Sequence, residues 1–138
     1  MKKIFLFLSL LISLSSCEKE AGEGGTSVIE GKVYKIHTFQ NFTTGAWDTL
    51  YYQLDSGKDV YIIYSDNQSD VYDDKFETDY NGIYHFEYLR KGDYTIYTYA
   101  DSIDMNNVSY DYPLFKHITI SNNNSVNTVE DFVIEKNQ

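Results

Sequence analysis

The sequence has one cysteine and one proline among its 138 residues, and it has no recognisable catalytic motif. A single cysteine excludes an intramolecular disulfide. The chain also lacks G-x-S-x-G, a glycine-rich phosphate loop and H-E-x-x-H, which mark serine hydrolases, nucleotide-binding proteins and zinc metalloproteases. Carboxylates are abundant, but no pattern selects a pair of them for acid–base chemistry. We therefore predict that the protein is not an enzyme and uses no cofactor.

Basic residues are also scarce. The chain has 11 Lys and Arg against 21 Asp and Glu, which gives a formal net charge of −10. Lys2 and Lys3 lie in a segment that we expect to be removed, which leaves 9 basic residues and a net charge of −12. Nucleic acid is a poor partner for such a chain, because Lys and Arg must neutralise its phosphates. The acidic excess favours solubility and mutual repulsion.

Aromatic side chains are plentiful. Hydrophobic residues make up 42% of the chain and aromatic residues 17%, including 14 tyrosines. This composition provides enough apolar surface for a core, and the length predicts one domain. Tyrosine at this density suits strands with one wet face, because the ring packs while the hydroxyl reaches water.

The first seventeen residues, MKKIFLFLSLLISLSSC, have the pattern of a secretory signal. Two lysines form a basic start, and residues 4–14 form an apolar segment that is too short to span a membrane stably. Small serines then precede Cys17. We predict a signal peptide over residues 1–16, with cleavage between Ser16 and Cys17.

The ending Leu14-Ser15-Ser16-Cys17 resembles the lipobox of bacterial lipoproteins. The resemblance implies that the Cys17 thiol receives a diacylglycerol and that the new amine is acylated with a fatty acid such as palmitate. A thiolate is a strong nucleophile for such alkylation, and several acyl chains anchor a protein stably. The alternative is an ordinary signal peptide that ends in a cysteine by chance. The resemblance predicts a membrane as partner, through the lipid on Cys17.

Residues 17–26 are rich in Glu and Gly, which predicts a flexible, lipidated, acidic tether. Acidic residues directly after the cysteine resemble the export signals that send some lipoproteins of Gram-negative bacteria to the outer face. A tether without a sorting role is the alternative. The expected location is the bacterial cell envelope, on the outer membrane and exposed at the surface.

The stretch TDYNGIYHFEYLRKGDYTIYTYA, which begins at Thr78, has the clearest strand pattern. Tyr84, Phe86 and Tyr88 fall on one face of a strand, because successive side chains point to opposite faces. After the polar segment RKGD, the alternation resumes at Tyr94. Aromatic and β-branched residues at this density favour strands over helix. The pattern predicts a β-hairpin.

This stretch resembles the carboxypeptidase regulatory-like domain, a small β-sandwich of transthyretin-like topology. The matching positions are Thr78, Asp79, Gly82, Tyr84, Phe86, Leu89, Gly92 and Tyr94. The segments VIEGKV at 28–33 and DVYIIY at 59–64 resemble two further strands of the family. Lys91 stands where the family often has proline. The resemblance implies a non-catalytic accessory domain.

The remaining strand patterns complete the fold prediction. They cover residues 27–38, 49–54, 59–65, 110–120 and 126–135. Pro113 indicates an edge strand or a bulge, because proline cannot donate to a central ladder. Phe132 and Ile134 are the expected core residues of the last strand. Together these patterns predict an all-β fold, a single antiparallel Greek-key β-sandwich of about seven strands over residues 27–136.

Three large aromatic residues form the strongest candidate ligand site. Trp47, Tyr51 and Tyr52 lie close together in sequence, with Phe42 nearby. We call Trp47, Tyr51 and Tyr52 the Trp47 group. Exposed rings of this kind stack on the C–H faces of sugars, which predicts a glycan ligand. The alternative is that these residues cover one end of the core, since Trp is buried on average.

No metal site is predicted. The loop of residues 66–74 is acidic, and carboxylates at short spacing could hold Ca²⁺. The weak candidate ligands are Asp66, Asp70, Asp73 and Asp74. Their spacing lacks the form of an EF-hand loop, so a solvated loop is the preferred interpretation. The three histidines, His37, His85 and His117, lack metal-ligand spacing and are expected to face solvent on strands.

These observations predict a non-catalytic lipoprotein of the cell envelope, with a sandwich that binds a glycan or a protein partner. The alternative is a structural subunit of an envelope complex that assembles through its sheet edges. An exposed aromatic patch favours the first function, and a long unprotected edge strand favours the second.

Overall fold

The computed structural model describes residues 20–103, 106 and 108–137, which form nine β-strands in two packed sheets. The strands are β1 Glu23–Gln40, β2 Trp47–Leu54, β3 Asp59–Ile63, β4 Asp74–Glu77, β5 Ile83–Leu89, β6 Gly92–Ile103, β7 Ser109–Ile120, β8 Val126–Thr128 and β9 Phe132–Asn137. The predicted all-β sandwich is confirmed. The predicted signal peptide and Cys17 lie outside the described residues. Within those residues, no helix is long and apolar enough to cross a membrane.

The long strand β1 is the centre of the five-stranded sheet. Its N-terminal half pairs with β5, and its C-terminal half pairs with β2, both antiparallel. Strands β8 and β9 follow the opposite edge of β1, and both are parallel to it. The predicted antiparallel arrangement therefore holds for every other strand pair of the two sheets, and β8 and β9 depart from it. The predicted last strand is also divided in two, because the chain leaves the ladder at residues 129–131 and buries Val129.

The second sheet has four strands in the order β4-β3-β6-β7, and all of its pairs are antiparallel. Strand β4 was not predicted, because it has only four residues. Strand β7 lies at the edge of the sheet, and Pro113 is paired with Tyr99 of β6. The prediction of an edge position for Pro113 is confirmed. An edge strand tolerates proline, because no strand on its outer side requires a backbone N–H from it.

Strands β5 and β6 do not form the predicted hairpin. β5 belongs to the sheet of β1, whereas β6 belongs to the sheet of β3 and β7. The connection crosses between the sheets through Tyr88 (φ 59°) and Gly92 (φ 145°). The change of direction at Tyr88 also leaves its side chain 69% exposed, although the alternation placed it beside Tyr84 and Phe86. The two strands therefore meet through their apolar faces and not through their backbones.

The core lies between the two sheets. Its fully or almost fully buried side chains come from six strands and from the segment between β8 and β9: Ile29, Val33, Val60, Ile62, Tyr84, Phe86, Leu89, Tyr94, Ile96, Ala100, Ile120, Val129, Phe132 and Ile134. The prediction of Phe132 and Ile134 as core residues is confirmed. Burial of apolar area on this scale is the main term that stabilises a small domain.

The predicted tether extends too far into the chain, because β1 begins at Glu23 and residues 21–26 are part of the fold. Ala21 packs against the core. The Gly22 N–H donates to the Tyr94 hydroxyl at 2.9 Å, and the Gly22 carbonyl accepts from the Arg90 N–H at 2.9 Å. The Glu and Gly composition indicated solvated chain, but these backbone groups satisfy their hydrogen bonds within the fold.

Candidate ligand-binding surface

The outer face of the four-stranded sheet carries a cluster of five aromatic side chains. We call it the aromatic face, and it consists of Tyr61, Tyr72, Tyr97, Tyr99 and Phe115. In β6, Tyr94 and Ile96 point into the core, so the alternating positions 97 and 99 point outwards. The register places Tyr61 of β3 and Phe115 of β7 on either side of Tyr97. Three strands therefore bring one row of rings together.

Ring contacts join the cluster into one continuous surface. Tyr61 and Tyr97 are stacked, with centroids 4.9 Å apart and an interplanar angle of 15°. Phe115 lies 5.2 Å from Tyr97, and the edge of Tyr72 meets Tyr61 at 4.9 Å. Tyr99 is 5.7 Å from Tyr97 and 5.9 Å from Tyr61. These distances lie in the range of favourable aromatic pairs.

The rings differ in exposure in a way that suits ligand contact. Tyr97 is only 8% exposed and forms the base of the cluster, whereas Tyr72 is 47% and Tyr99 38% exposed. Tyr61 and Phe115 are partly buried. The buried base fixes the positions of the outer rings, so that they offer flat apolar area with hydroxyl groups at its margin.

The hydroxyls of Tyr61 and Tyr97 on this surface stay neutral over the physiological range. Burial raises the pKa of Tyr97 to about 12, with further increases from Tyr99 and Tyr61. Burial and the neighbouring carboxylate of Asp59 also raise the pKa of Tyr61. Each hydroxyl can therefore both donate and accept a hydrogen bond to a polar ligand.

The acidic loop of residues 64–73 places Tyr72 over the sheet. Asp73 accepts a hydrogen bond from the Tyr64 N–H at 2.7 Å. Asp70 accepts from Ser65 Oγ and from Asn67 Nδ2, both at 2.7 Å. The carboxylates thus hold the loop in shape, which is a common role of Asp in turns.

The weak metal candidates of this loop do not form a ligand set. Asp70 and Asp73 accept the loop hydrogen bonds, Asp74 Oδ1 accepts from the Lys75 N–H at 2.7 Å, and Asp66 is exposed. Across residues 20–103, 106 and 108–137, no group of three His, Cys, Asp or Glu side chains converges as a metal site requires.

The Trp47 group lies on β2, at an edge of the five-stranded sheet. All eight residues of β2 are exposed, including Trp47 at 52%. Tyr51 is paired with His37 and stacks on its ring at 4.3 Å, whereas Tyr52 is paired with Ile36. Consecutive residues of a strand point to opposite faces. The structure therefore does not bring Trp47, Tyr51 and Tyr52 together on one binding surface.

The three histidines lie in separate surroundings. His37 is buried between Tyr51 and Gln53, which differs from the predicted solvent-facing position. His85 is partly exposed and packs on Phe76, with centroids 4.4 Å apart. His117 is exposed, and its Nδ1 and Nε2 atoms lie 2.9 Å from Thr95 Oγ1 and 2.8 Å from Gln68 Nε2.

Sequence reasoning missed the aromatic face. The sequence of β6 did indicate it, because both faces of this strand carry aromatic residues. Tyr94 lies on one face, and Tyr97 and Tyr99 lie on the other. An antiparallel strand with one solvated face usually alternates apolar with polar residues. A second aromatic face on such a strand indicates either a further layer or a surface for a ligand.

Comparisons with known proteins assign no family to the chain. No protein-family model matches it, and no curated protein gives a significant match. Among solved structures, it is similar to a crystal structure from Pseudomonas aeruginosa described as a "putative carbohydrate binding protein". The two chains are 16% identical, the match covers 84% of this chain and 92% of the other, and the TM-score is 0.46. At these values the likeness carries no argument about fold or function.

Proposed function

We propose that the protein is a non-catalytic carbohydrate-binding module, and that the aromatic face is its binding surface. The observation that supports this proposal is the continuous set of rings on the outer face of the four-stranded sheet. Tyr72 and Tyr99 expose ring area, and they pack against Tyr61 and Tyr97 respectively. Sugars present C–H faces that stack on such rings and hydroxyls that pair with tyrosine hydroxyls.

The chemistry of this surface suits binding and offers no means of catalysis. The hydroxyls of Tyr61 and Tyr97 are neutral, because burial raises their pKa values. A tyrosine with a raised pKa is a poor nucleophile and a poor base at neutral pH. The absence of catalytic activity remains a prediction, and assays of glycoside hydrolysis on the bound glycans test it.

Oligosaccharide binding by Tyr99→Ala and Tyr72→Ala variants tests the binding surface. Residues 18–138 are screened on a glycan array, and positive glycans are titrated by calorimetry. Loss of one stacked ring is expected to weaken binding about three- to tenfold, since an aromatic contact is worth about 0.5–1.5 kcal/mol. Tyr80→Ala is the matched control, because Tyr80 is 84% exposed and lies outside the aromatic face. Equal affinity in all variants would place the site elsewhere.

The proposal includes attachment to the cell envelope through a lipid on Cys17. The support is the sequence alone: a signal-like segment that ends in Ser-Ser-Cys. In cells labelled with radioactive palmitate, the natural chain is expected to carry the label and Cys17→Ser to lack it. Label in the variant would exclude Cys17 as the lipidated residue.

Assembly through β2 is a second candidate function. Every side chain of β2 is exposed, and the strand includes Trp47, Leu50 and Tyr52 with Asp48 as its one charge. Natural edge strands usually carry charges, prolines or bulges that prevent pairing. The pairing of β2 with β1 has one register shift, which lies between His37 and Thr38 of β1. Light scattering of the natural chain and of Leu50→Lys tests this function, and a monomer in both cases would argue against self-assembly.

A further inference from the structure

We propose that the glycan bound on the aromatic face carries free amino groups, so that the ligand is a positively charged amino sugar. This inference rests on the proposed function and specifies the class of ligand. The observation behind it is the position of carboxylates along one end of the aromatic face.

Two aspartates face each other directly beside the rings. The register of β6 and β7 pairs Tyr99 with Pro113 and then, two residues further on, Asp101 with Asp111. Both aspartates are exposed, and neither forms an ion pair among the described residues. Like charges directly opposite each other destabilise a sheet. A bound cation between Tyr99 and these carboxylates would relieve that repulsion.

The other charges of this face leave the excess negative. When the β3–β6 register is extended by one residue, Asp59 lies opposite Tyr99. Asp59 already forms an ion pair with Lys75 at 3.1 Å. Glu77 is paired with Asp59 on β4, so a further carboxylate lies in that row. The ammonium group of Lys75 is thus already paired with Asp59. The carboxylates of Glu77, Asp101 and Asp111 remain available to a ligand. A sugar with carboxylate or sulfate groups would be repelled.

An amino sugar meets both features of the surface at once. Its ring has the C–H face that stacks on Tyr99, and its ammonium group is attracted by aromatic rings and by carboxylates. Residues two apart on a strand are separated by about 6–7 Å. An ammonium group on a sugar stacked over Tyr99 therefore lies within reach of Asp101 and Asp111. Neutral sugars gain the stacking contact and hydrogen bonds to tyrosine hydroxyls, but no charge contact.

Three β-1,4-linked oligosaccharides of equal length test this inference. They are oligomers of glucosamine, of N-acetylglucosamine and of glucose, titrated at mildly acidic pH, where the free amines are protonated. The glucosamine oligomer is expected to bind about tenfold more tightly than the other two, since two exposed charge contacts combine. Its affinity is expected to fall with added salt.

A pair of matched double variants identifies the charges responsible. Asp101→Asn with Asp111→Asn is expected to remove the preference for glucosamine and its salt dependence. The control, Glu87→Gln with Glu135→Gln, removes the same charge from the five-stranded sheet and is expected to keep the preference. If N-acetylglucosamine or glucose oligomers bind as tightly as glucosamine, the inference is overturned and the proposed function stands. If none of the three oligomers binds and the glycan array shows no bound glycan, both the inference and the proposed function are overturned.

Discussion

The Tyr94 hydroxyl accepts a hydrogen bond from the Gly22 N–H at 2.9 Å, which links β6 to a residue 72 positions earlier. The same hydroxyl donates to the Arg90 carbonyl at 2.7 Å. The phenol therefore fixes both the start of the fold and the crossing between the sheets. Tyr84 is equally buried in the same core, but among the described residues its hydroxyl has no hydrogen-bond partner.

The first prediction compares Phe substitutions of these two tyrosines. Tyr94→Phe is expected to lower the free energy of unfolding by about 1–3 kcal/mol, because it leaves buried backbone groups of Gly22 and Arg90 without a partner. Tyr84→Phe removes a buried hydroxyl that makes no such bond, and it is expected to be neutral or to stabilise by up to about 1 kcal/mol. Urea titrations measure both values. Equal losses in the two variants would contradict the distinction.

A second prediction concerns the contact between Gly31 and Tyr84. A Cβ atom at position 31 would lie 2.4 Å from the Tyr84 hydroxyl and 2.7 Å from the ring carbon that carries it. Gly31→Ala is therefore expected to destabilise the protein by about 1–3 kcal/mol through overpacking. Tyr84→Phe in the same chain is expected to recover part of the loss, because it removes the atom closest to the new methyl group. A double-mutant cycle gives the coupling energy, and additive losses would exclude this contact as the cause.

A third prediction follows from the pKa of Tyr97, which burial raises to about 12 from an ordinary value of 10.0. Below pH about 10 the phenol is protonated in both the folded and the unfolded state. Between about pH 10 and 12 the unfolded state releases the proton that the folded state keeps, so the free energy of unfolding falls as the pH rises. Tyr61, Tyr64 and Tyr94 also have raised pKa values and act in the same direction.

Urea midpoints measured between neutral pH and about pH 11 test this prediction. Tyr97→Phe keeps the ring and removes the ionisable group, so its midpoint is expected to fall less steeply above pH 10 than that of the natural chain. Tyr80→Phe is the control at an exposed position and is expected to leave the slope unchanged. A slope in Tyr97→Phe equal to that of the natural chain would exclude this group as a contributor.

A fourth prediction applies to the paired aspartates. Asp101→Asn is expected to raise the free energy of unfolding by about 0.2–1 kcal/mol, because it removes the repulsion between directly opposite carboxylates. Asp111→Asn is expected to have a similar effect, and the double variant is expected to gain less than the sum, since either change alone removes the repulsion. Thermal unfolding at low salt measures the gain, which high salt is expected to reduce. Destabilisation by either single change would contradict the repulsion.

The strands could be predicted well from the sequence where one face of a strand is buried. The alternation around Tyr84 and Phe86 marked β5, and the apolar run at Val60 and Ile62 marked β3. The pairing of strands could not be predicted in the same way. The segment RKGD permits a hairpin turn, but it also permits a crossing between sheets, and the choice depends on long-range packing such as that of Gly92 against Ala21.

The sequence predicted an aromatic binding surface at the Trp47 group, whereas the aromatic face that we propose as the binding surface lies on the other sheet. The Trp47 group was chosen because its aromatic residues are neighbours in sequence, and residues next to each other on a strand cannot share a face. The rings of Tyr61, Tyr97 and Phe115 are far apart in sequence and meet only through the register of three strands. The ordering of residues 21–26 within the fold could not be predicted either, because glycine-rich composition alone does not distinguish a tether from an ordered strand end.

Under the proposed lipidation of Cys17, the early start of β1 would determine how far the protein extends from a bilayer. Ala21 lies four residues after Cys17, a spacing that can span at most about 13 Å. Ala21 packs beside Gly92, at the start of β6, and Asp101 lies nine residues further along that strand, about 30 Å away. Under the proposed lipidation, one end of the sandwich would therefore stand close to the lipid headgroups. The acidic, ring-bearing end would face outwards, at a height set by the length of the strands.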